Sequence, residues 1–246
     1  MHMPPRVNAF LIHLAASALI ACVAMALVFL VWYPAPLATA IGVTPIFLLM
    51  LGIDVTLGPL LTLVVYKPGK KSLRMDLSII VLLQVGALVY GLHTMAIARP
   101  AWIVFNADRF DVVQAVEVEA KYADRATPQF KNAPWTGPRW AASAAPASQE
   151  DSQALMFEAL DGGADLPQRI DLYSPIEQPA DAIRAKALPL SDLDKYNPPS
   201  EVASVLKEWP DADAFLPLMA KEQPMTVLLR KADSKVIAIV ALNPWL

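Results

Sequence analysis

Gly52-Ile53-Asp54-Val55-Thr56-Leu57-Gly58-Pro59-Leu60 places one carboxylate, two glycines and a proline inside a long apolar run. Asp54 is the only charge between Ile41 and Tyr66, and about 20 apolar residues suffice to cross a bilayer as a helix. An acid near the middle of such a helix costs about 3 kcal/mol on insertion scales. Thirteen Leu, Ile, Val and Phe between Ile46 and Val65 oppose it, and at about −0.4 kcal/mol each they supply roughly −5 kcal/mol. The helix therefore inserts with the acid in place, and insertion does not explain why the acid is there.

The neighbours of Asp54 suggest a use. Asp54, Gly58 and Thr62 are spaced i, i+4, i+8 and share one helix face. Pro59 has no amide to give the carbonyl of Val55, which loosens the hydrogen-bond ladder at that turn. Small residues let a second helix approach closely. Gly52, Asp54, Gly58, Pro59 and Thr62 thus predict a kinked groove with an acid inside it. Gln84, at similar depth in a later apolar run, is a candidate partner for the carboxyl. Two readings stay open: a protonated acid acting as packing glue, or an acid that meets the transmembrane helix of a partner. A proton or ion path is a third, but a lone acid makes a poor relay.

Two further runs lack Asp, Glu, Lys and Arg altogether, Phe10–Tyr33 and Leu77–Ala98. Together the pattern predicts three transmembrane helices, at about 10–33, 41–66 and 75–98. Leu19-Ile20-Ala21-Cys22 has the look of a lipoprotein cleavage box, but the apolar run continues through Val23–Trp32. Ala38-Thr39-Ala40 has the look of a signal-peptidase site, but the stretch before it is too long for a typical signal. Arg6 precedes the first span, and Lys67, Lys70, Lys71 and Arg74 crowd the second loop, while Pro34–Pro45 carries no charge. The excess of basic residues marks the cytoplasmic side. The N-terminus and Lys67–Arg74 then face the cytoplasm, the four cations contact lipid headgroups, and the third span exports the remainder of the chain. Within Lys67-Pro68-Gly69-Lys70-Lys71-Ser72, a tight turn is expected, with Ser72 capping the third helix and Asp76 in its first turn.

Charge divides the chain in the same place. Residues 1–99 hold six Lys/Arg and two acids, net +4, whereas 100–246 hold 14 Lys/Arg and 21 acids, net −7. The expected organisation is a membrane domain over 1–99 and an exported α+β domain with an antiparallel sheet over 100–246. The acidity of the second part excludes a nucleic-acid partner, which needs a basic face.

In the exported part, Ala101–Phe105 and Phe110–Ala115 read as strands around an Asn106–Arg109 turn, and Met225–Arg230 with Lys235–Leu242 as a hairpin. Asp151–Leu160, Pro179–Leu188 and Pro199–Trp209 read as helices, Arg169–Tyr173 as a strand, and Val116–Ala123 as either. Thr127–Ser148, rich in Pro, Ala and Ser, reads as an irregular loop. The three histidines, His2, His13 and His93, and the lone Cys22 all lie outside this part. Ser-His-Asp and Cys-His systems and the usual zinc sites are therefore excluded from it. No phosphate-binding glycine loop occurs, and Asp161-Gly162-Gly163-Ala164-Asp165 reads as a helix stop, not a calcium loop. No catalytic, cofactor or metal residue is expected. Trp135, Trp140, Trp209 and Trp245 are candidates for either core or a binding surface.

The chain resembles the type IV pilin accessory proteins of the TfpX/TfpZ kind. The resemblance is carried by Trp32-Tyr33-Pro34-Ala35-Pro36-Leu37, by Gly52-Ile53-Asp54 through Gly58-Pro59-Leu60-Leu61-Thr62-Leu63, and by Lys67-Pro68-Gly69-Lys70-Lys71-Ser72-Leu73-Arg74-Met75-Asp76-Leu77. Ala87-Leu88-Val89-Tyr90-Gly91, Arg99-Pro100 and Asp108-Arg109-Phe110 come next, in the same order. It is dense over residues 10–110 and thinner beyond. It implies a bacterial inner-membrane protein that is no enzyme, acts on type IV pilin, works with the pilus assembly machinery, and affects surface piliation. The alternatives are a periplasmic sensor or envelope-binding protein that never touches pilin, and a membrane enzyme built on carboxylates.

Overall fold

The computed structural model describes residues 3–146 and 148–245; His2 lies outside them. In its first hundred residues the helices are α1 (Pro5–Ala26), prolonged by a π-helical stretch Leu27–Trp32, then α2 (Leu37–Ile41), α3 (Val43–Val65) and α4 (Leu73–Ile97). Three of these helical stretches are long and apolar enough to cross a membrane: Pro5–Trp32, Val43–Val65 and Leu73–Ile97. Their outward positions are large and apolar, as in Leu30, Ile46, Val64 and Leu82, the composition expected where lipid is the solvent. Pro59 is accommodated inside α3, which runs through it without a break.

The chain forms two compact units. The first comprises the residues up to Val31 and Val43–Ile97; the second comprises Trp32–Gly42 and the residues from Ala98 onward. The charge and hydropathy pattern assigns Trp32–Gly42 to the membrane part, and the structure groups them with the second unit. The cause is local. Leu37 and Ala40, three apart on one face of α2, are buried with Ile103, Leu216 and Val227. The carbonyl of Ala40 accepts from the amides of Glu222 and Gln223 at 2.9 and 3.0 Å. Gly42 closes α2 with φ 80°, and a Cβ there would lie 3.0 Å from Cγ of Glu222. The position thus wants glycine for both its left-handed backbone and its space.

The second unit is built on one mixed sheet. Its strands are β1 (Pro100–Asn106), β2 (Arg109–Gln114), β3 (Arg139–Ser143), β4 (Tyr173–Ser174), β5 (Leu188–Pro189), β6 (Ala214–Met219), β7 (Met225–Arg230) and β8 (Lys235–Val240). The order is β4-β3-β1-β2-β6-β7-β8, with β5 paired to β6. Most pairs are antiparallel, but β1 with β3 and β2 with β6 are parallel. Short helices α5 (Ala120–Ala123), α6 (Gln149–Leu160), α7 (Ala180–Lys186) and α8 (Pro199–Lys207) lie between the strands.

Both faces of the sheet are covered, which is why β1, β6 and β7 are apolar almost without alternation. One face holds Ile103, Phe110, Leu216, Leu218 and Val227. On the other, Trp102 meets Phe130 and Tyr173 edge-on at 5.5 and 5.7 Å, and Phe215 and Leu228 pack with Leu193 and Val202. Side chains of β1 and β3 share the first cluster with those of β7 and β8, so the sheet curls until its two ends look at each other.

Some elements differ from the sequence reading, and Val116–Ala123, open there between strand and helix, is helical, divided between a 3-10 turn and α5. Thr127–Ser148 is not wholly irregular, since it contains β3. Arg169–Tyr173 is chiefly a 3-10 turn, Ile170–Leu172, with only Tyr173 entering β4. β6 has no counterpart in the sequence reading, because Pro217 in Ala-Phe-Leu-Pro-Leu-Met argues against an inner strand. The sheet solves this by leaving a gap: on that edge β5 pairs Ala214 and Phe215, β2 pairs Leu218 and Met219, and Pro217 falls between them.

Candidate functional site

Polar residues in the first unit converge on one pocket. It has a volume of about 160 Å³ and is lined by His13, Ser17, Leu51, Asp54, Gln84 and Leu88, contributed by α1, α3 and α4. Ile20, Val81 and Val85 stand at it with exposed side chains, so the pocket opens on the outer surface of the helices. Gln84 reaches across from α4 and its Nε2 donates to the main-chain carbonyl of Asp54 at 2.7 Å. Depth alone makes Gln84 a candidate partner for the carboxyl; the structure gives the amide to the backbone instead. Asp54 Oδ2 and Gln84 Oε1 are buried and have no hydrogen-bond partner among the described residues. Two acceptors left unmet in an apolar setting are costly, and a donor arriving from outside would satisfy them.

The remaining groove residues are placed differently from one another. Gly58 lies under the Gln84 side chain, where a Cβ would collide with Oε1. Thr62 is buried, and its Oγ1 is 2.7 Å from Nδ1 of His13, which ties α1 to α3. Pro59 is buried beside Gly58. Gly52 faces outward, with open space where a Cβ would stand. The small-residue face is therefore occupied by the chain's own helices, and the part left open is the pocket at Asp54. Gly58→Ala should evict the Gln84 amide and forfeit its bond to Asp54, at about 1 kcal/mol. Gln84→Ala forfeits the same bond, so in a double-mutant cycle the double variant should cost no more than Gln84→Ala alone, read as thermal stability of the detergent-solubilised chain. A full additive loss would mean that Gly58 meets something other than Gln84.

Lys67 and Lys71 are exposed in the connection between α3 and α4, Arg74 is exposed in the first turn of α4, and Lys70 pairs with Asp76 at 2.6 Å. Pro68 and Gly69 form the corner of a turn closed by Lys70 N to Lys67 O, with Gly69 at φ 80°. Ser72 stands just before α4 and its hydroxyl donates to the Asp76 carboxylate at 3.1 Å.

No group of three or more His, Cys, Asp or Glu among the described residues is placed to hold a metal. Gly162 has φ 83° just past α6, and Asp165 caps the turn Leu166–Gln168 by accepting from the Leu166 amide at 2.7 Å. The four tryptophans do not gather. Trp135 is exposed beneath the Arg99 guanidinium, 4.4 Å from its ring, and Trp209 packs with Leu193 and Val202. Trp245 lies near Arg109 and Met219, and Trp140 lines a cleft of about 790 Å³ beside β8. That cleft is not legible in the sequence; the uncharged segment Pro34–Leu37, which supplies part of its wall, was the available signal.

One buried acid in the second unit has a pH consequence. Asp111 is 8% exposed. Burial raises its carboxyl above the usual range, and Arg109, 3.1 Å away, pulls it only part of the way back. The folded chain thus holds a proton that the unfolded chain has released, and stability falls as pH rises between the ordinary and the raised value. Asp111→Asn removes that dependence. Relative to this variant, the wild-type melting temperature should be least favourable at neutral pH and improve on acidification. A difference that does not change with pH would show that Asp111 keeps its unfolded-state affinity for protons.

Comparison with known proteins points to a family. Residues 2–42 match the family model "Fimbrial assembly protein FimB". Over 182 residues the chain is 32% identical to a fimbrial assembly protein, serogroup I, of Dichelobacter nodosus, covering 73% of this chain and 70% of the relative. The chain belongs to the fimbrial assembly protein family. The serogroup E1 protein of the same organism is 31% identical over the same length, and the serogroups C1 and C2 protein is 36% identical over 109 residues, 44% of this chain and 83% of that one. No solved structure matches the chain.

Proposed function

We propose that this chain is a non-catalytic accessory factor of fimbrial assembly that holds the pilin subunit beside its own helices before the subunit joins the fibre. In this reading it resides in the bacterial inner membrane, with the N-terminus and Lys67–Arg74 cytoplasmic and the second unit periplasmic. The observation that carries the reading is the pocket at Asp54. It presents two buried acceptors without partners, Asp54 Oδ2 and Gln84 Oε1, at a site that opens on the outer surface of the helices. A transmembrane helix bearing a hydroxyl, amide or ammonium donor at that depth would satisfy both. Gly52, Gly58, Pro59 and Thr62 serve the same end, Gly52 from the outer surface and the others by fixing α3 against α1 and α4. The family name of the relatives supports a place in assembly, and the resemblance to pilin accessory proteins supports the subunit as partner.

The test is photocrosslinking in native membranes, with the probe at Val81 on the rim of the pocket. An adduct identified by peptide sequencing as the fimbrial subunit is expected. Adducts with other envelope proteins only, in cells where the subunit is abundant, would refute the reading.

A further inference from the structure

The cleft of about 790 Å³ in the second unit is lined by every residue from Asp233 to Ile239 in succession. Successive residues of a strand point to opposite faces. A cavity that touches each of them in turn reaches the backbone edge of β8 as well as the face that carries Val236 and Ile239. β8 ends the sheet, and among the described residues its ladder is with β7 alone. Its outer amides and carbonyls are thus a template for another strand. The far wall has the same character. β3 pairs along Arg139–Ala142 with β1, but on its other side β4 takes only Ala142 and Ser143, and Gly137, Pro138 and Trp140 line the cleft. The cleft stands where one more strand would bridge the two ends of the curled sheet.

The edge is also poorly defended. Exposed edge strands usually carry several charges or a proline, or are covered. Lys-Val-Ile-Ala-Ile-Val has one charge, at its start, and no proline. A bulge at Ile237, where Leu228 pairs with Ala238 and Leu229 with Val236, is its one irregularity. Leu37, Ile103, Trp140, Ile176, Val236 and Ile239 make the lining apolar, which suits a strand with apolar side chains at alternate positions.

We propose that the cleft takes an extended segment of the fimbrial subunit, alternately apolar, which adds to the free edge of β8 as a further strand. This rests on the reading that the chain handles the subunit, and it gives the second unit a task separate from that of the membrane pocket. Backbone hydrogen bonds to β8 supply the affinity, and the apolar wall selects the side chains.

The experiment is hydrogen exchange on the full chain in lipid nanodiscs, with and without purified fimbrial subunit. The subunit should slow exchange at alternate amides of Lys235–Val240 by about tenfold or more, a change of at least about 1.4 kcal/mol in opening free energy. Glu177→Trp, an exposed position on the cleft wall, should weaken that protection without changing the β8 ladder. Binding of the subunit with no change at β8 overturns strand addition and leaves the functional reading standing. Failure of the subunit to bind at all overturns both. Protection of β8 in the chain alone, growing with its concentration, overturns the proposal in favour of a second copy at the edge.

Discussion

A fragment beginning at Ala98 is expected to melt far below the full chain or to remain unfolded, and joining residues 32–42 to it through a flexible linker should restore folding. Leu37 is 2% exposed and Ala40 fully buried, and both lie in the cluster formed by Ile103, Leu216 and Val227. Loss of one leucine side chain from such a core costs about 2–5 kcal/mol. The amides of Glu222 and Gln223 lose the Ala40 carbonyl as well, at about 1 kcal/mol for each bond. Against a total stability of about 5–15 kcal/mol for a domain, the sum removes about a quarter or more. Denaturant midpoints by circular dichroism decide it. Equal midpoints for the fragment with and without 32–42 would show that the segment only rests on the surface. Leu37→Asp in the full chain should act in the same direction, since it puts an unpaired charge in the same place.

That segment also shows where sequence reading stops. The three spans are legible because a bilayer imposes one requirement, length without charge, that can be counted along the chain. Strands β1, β2, β7 and β8 are legible because each pair of β-rich runs is joined by a short, mostly polar turn, Asn106–Arg109 and Lys231–Ser234. β3 is hidden because a parallel strand takes its partner from far away, so its Arg-Trp-Ala-Ala-Ser carries no local pairing signal. β6 is hidden by Pro217, whose missing amide matters only if a neighbour strand is there to receive it. Pro34–Ala40 reads as a bare connection between two spans because nothing in its own residues reveals that Leu37 completes a core some 180 residues downstream. Of the residues picked out by spacing and depth, Asp54 and Gln84 line the pocket, whereas Gly58 and Thr62 pack against the chain's own helices. What spacing does not determine is which neighbour meets which: Gln84 takes the Asp54 backbone, His13 takes Thr62, and the carboxyl oxygen is left unmet.

Asp54→Leu should reduce crosslinking to the fimbrial subunit, and surface fimbriation with it, by at least tenfold at unchanged protein level. A hydrogen bond to a charged group contributes about 1.5–3 kcal/mol, and about 1.4 kcal/mol is a factor of ten in binding. The sign of the other effects makes the substitution informative. Replacing an acid near the middle of a span by leucine favours insertion by about 3 kcal/mol, so a loss of assembly cannot be blamed on a helix that fails to enter the membrane. Removing the carboxylate also removes Oδ2, one of the two unmet acceptors, so the three-helix bundle should gain stability or keep it. The Gln84 amide bonds the backbone of residue 54 and not its side chain, so that contact survives. A stabilised, well-inserted protein that no longer gathers its subunit is an outcome that packing glue would not produce. Asp54→Glu, which keeps the acceptor and shifts it by one methylene, should recover part of the activity. Normal fimbriation in the Asp54→Leu strain would instead assign the carboxylate no part in meeting the subunit, and the pocket would cease to be the site.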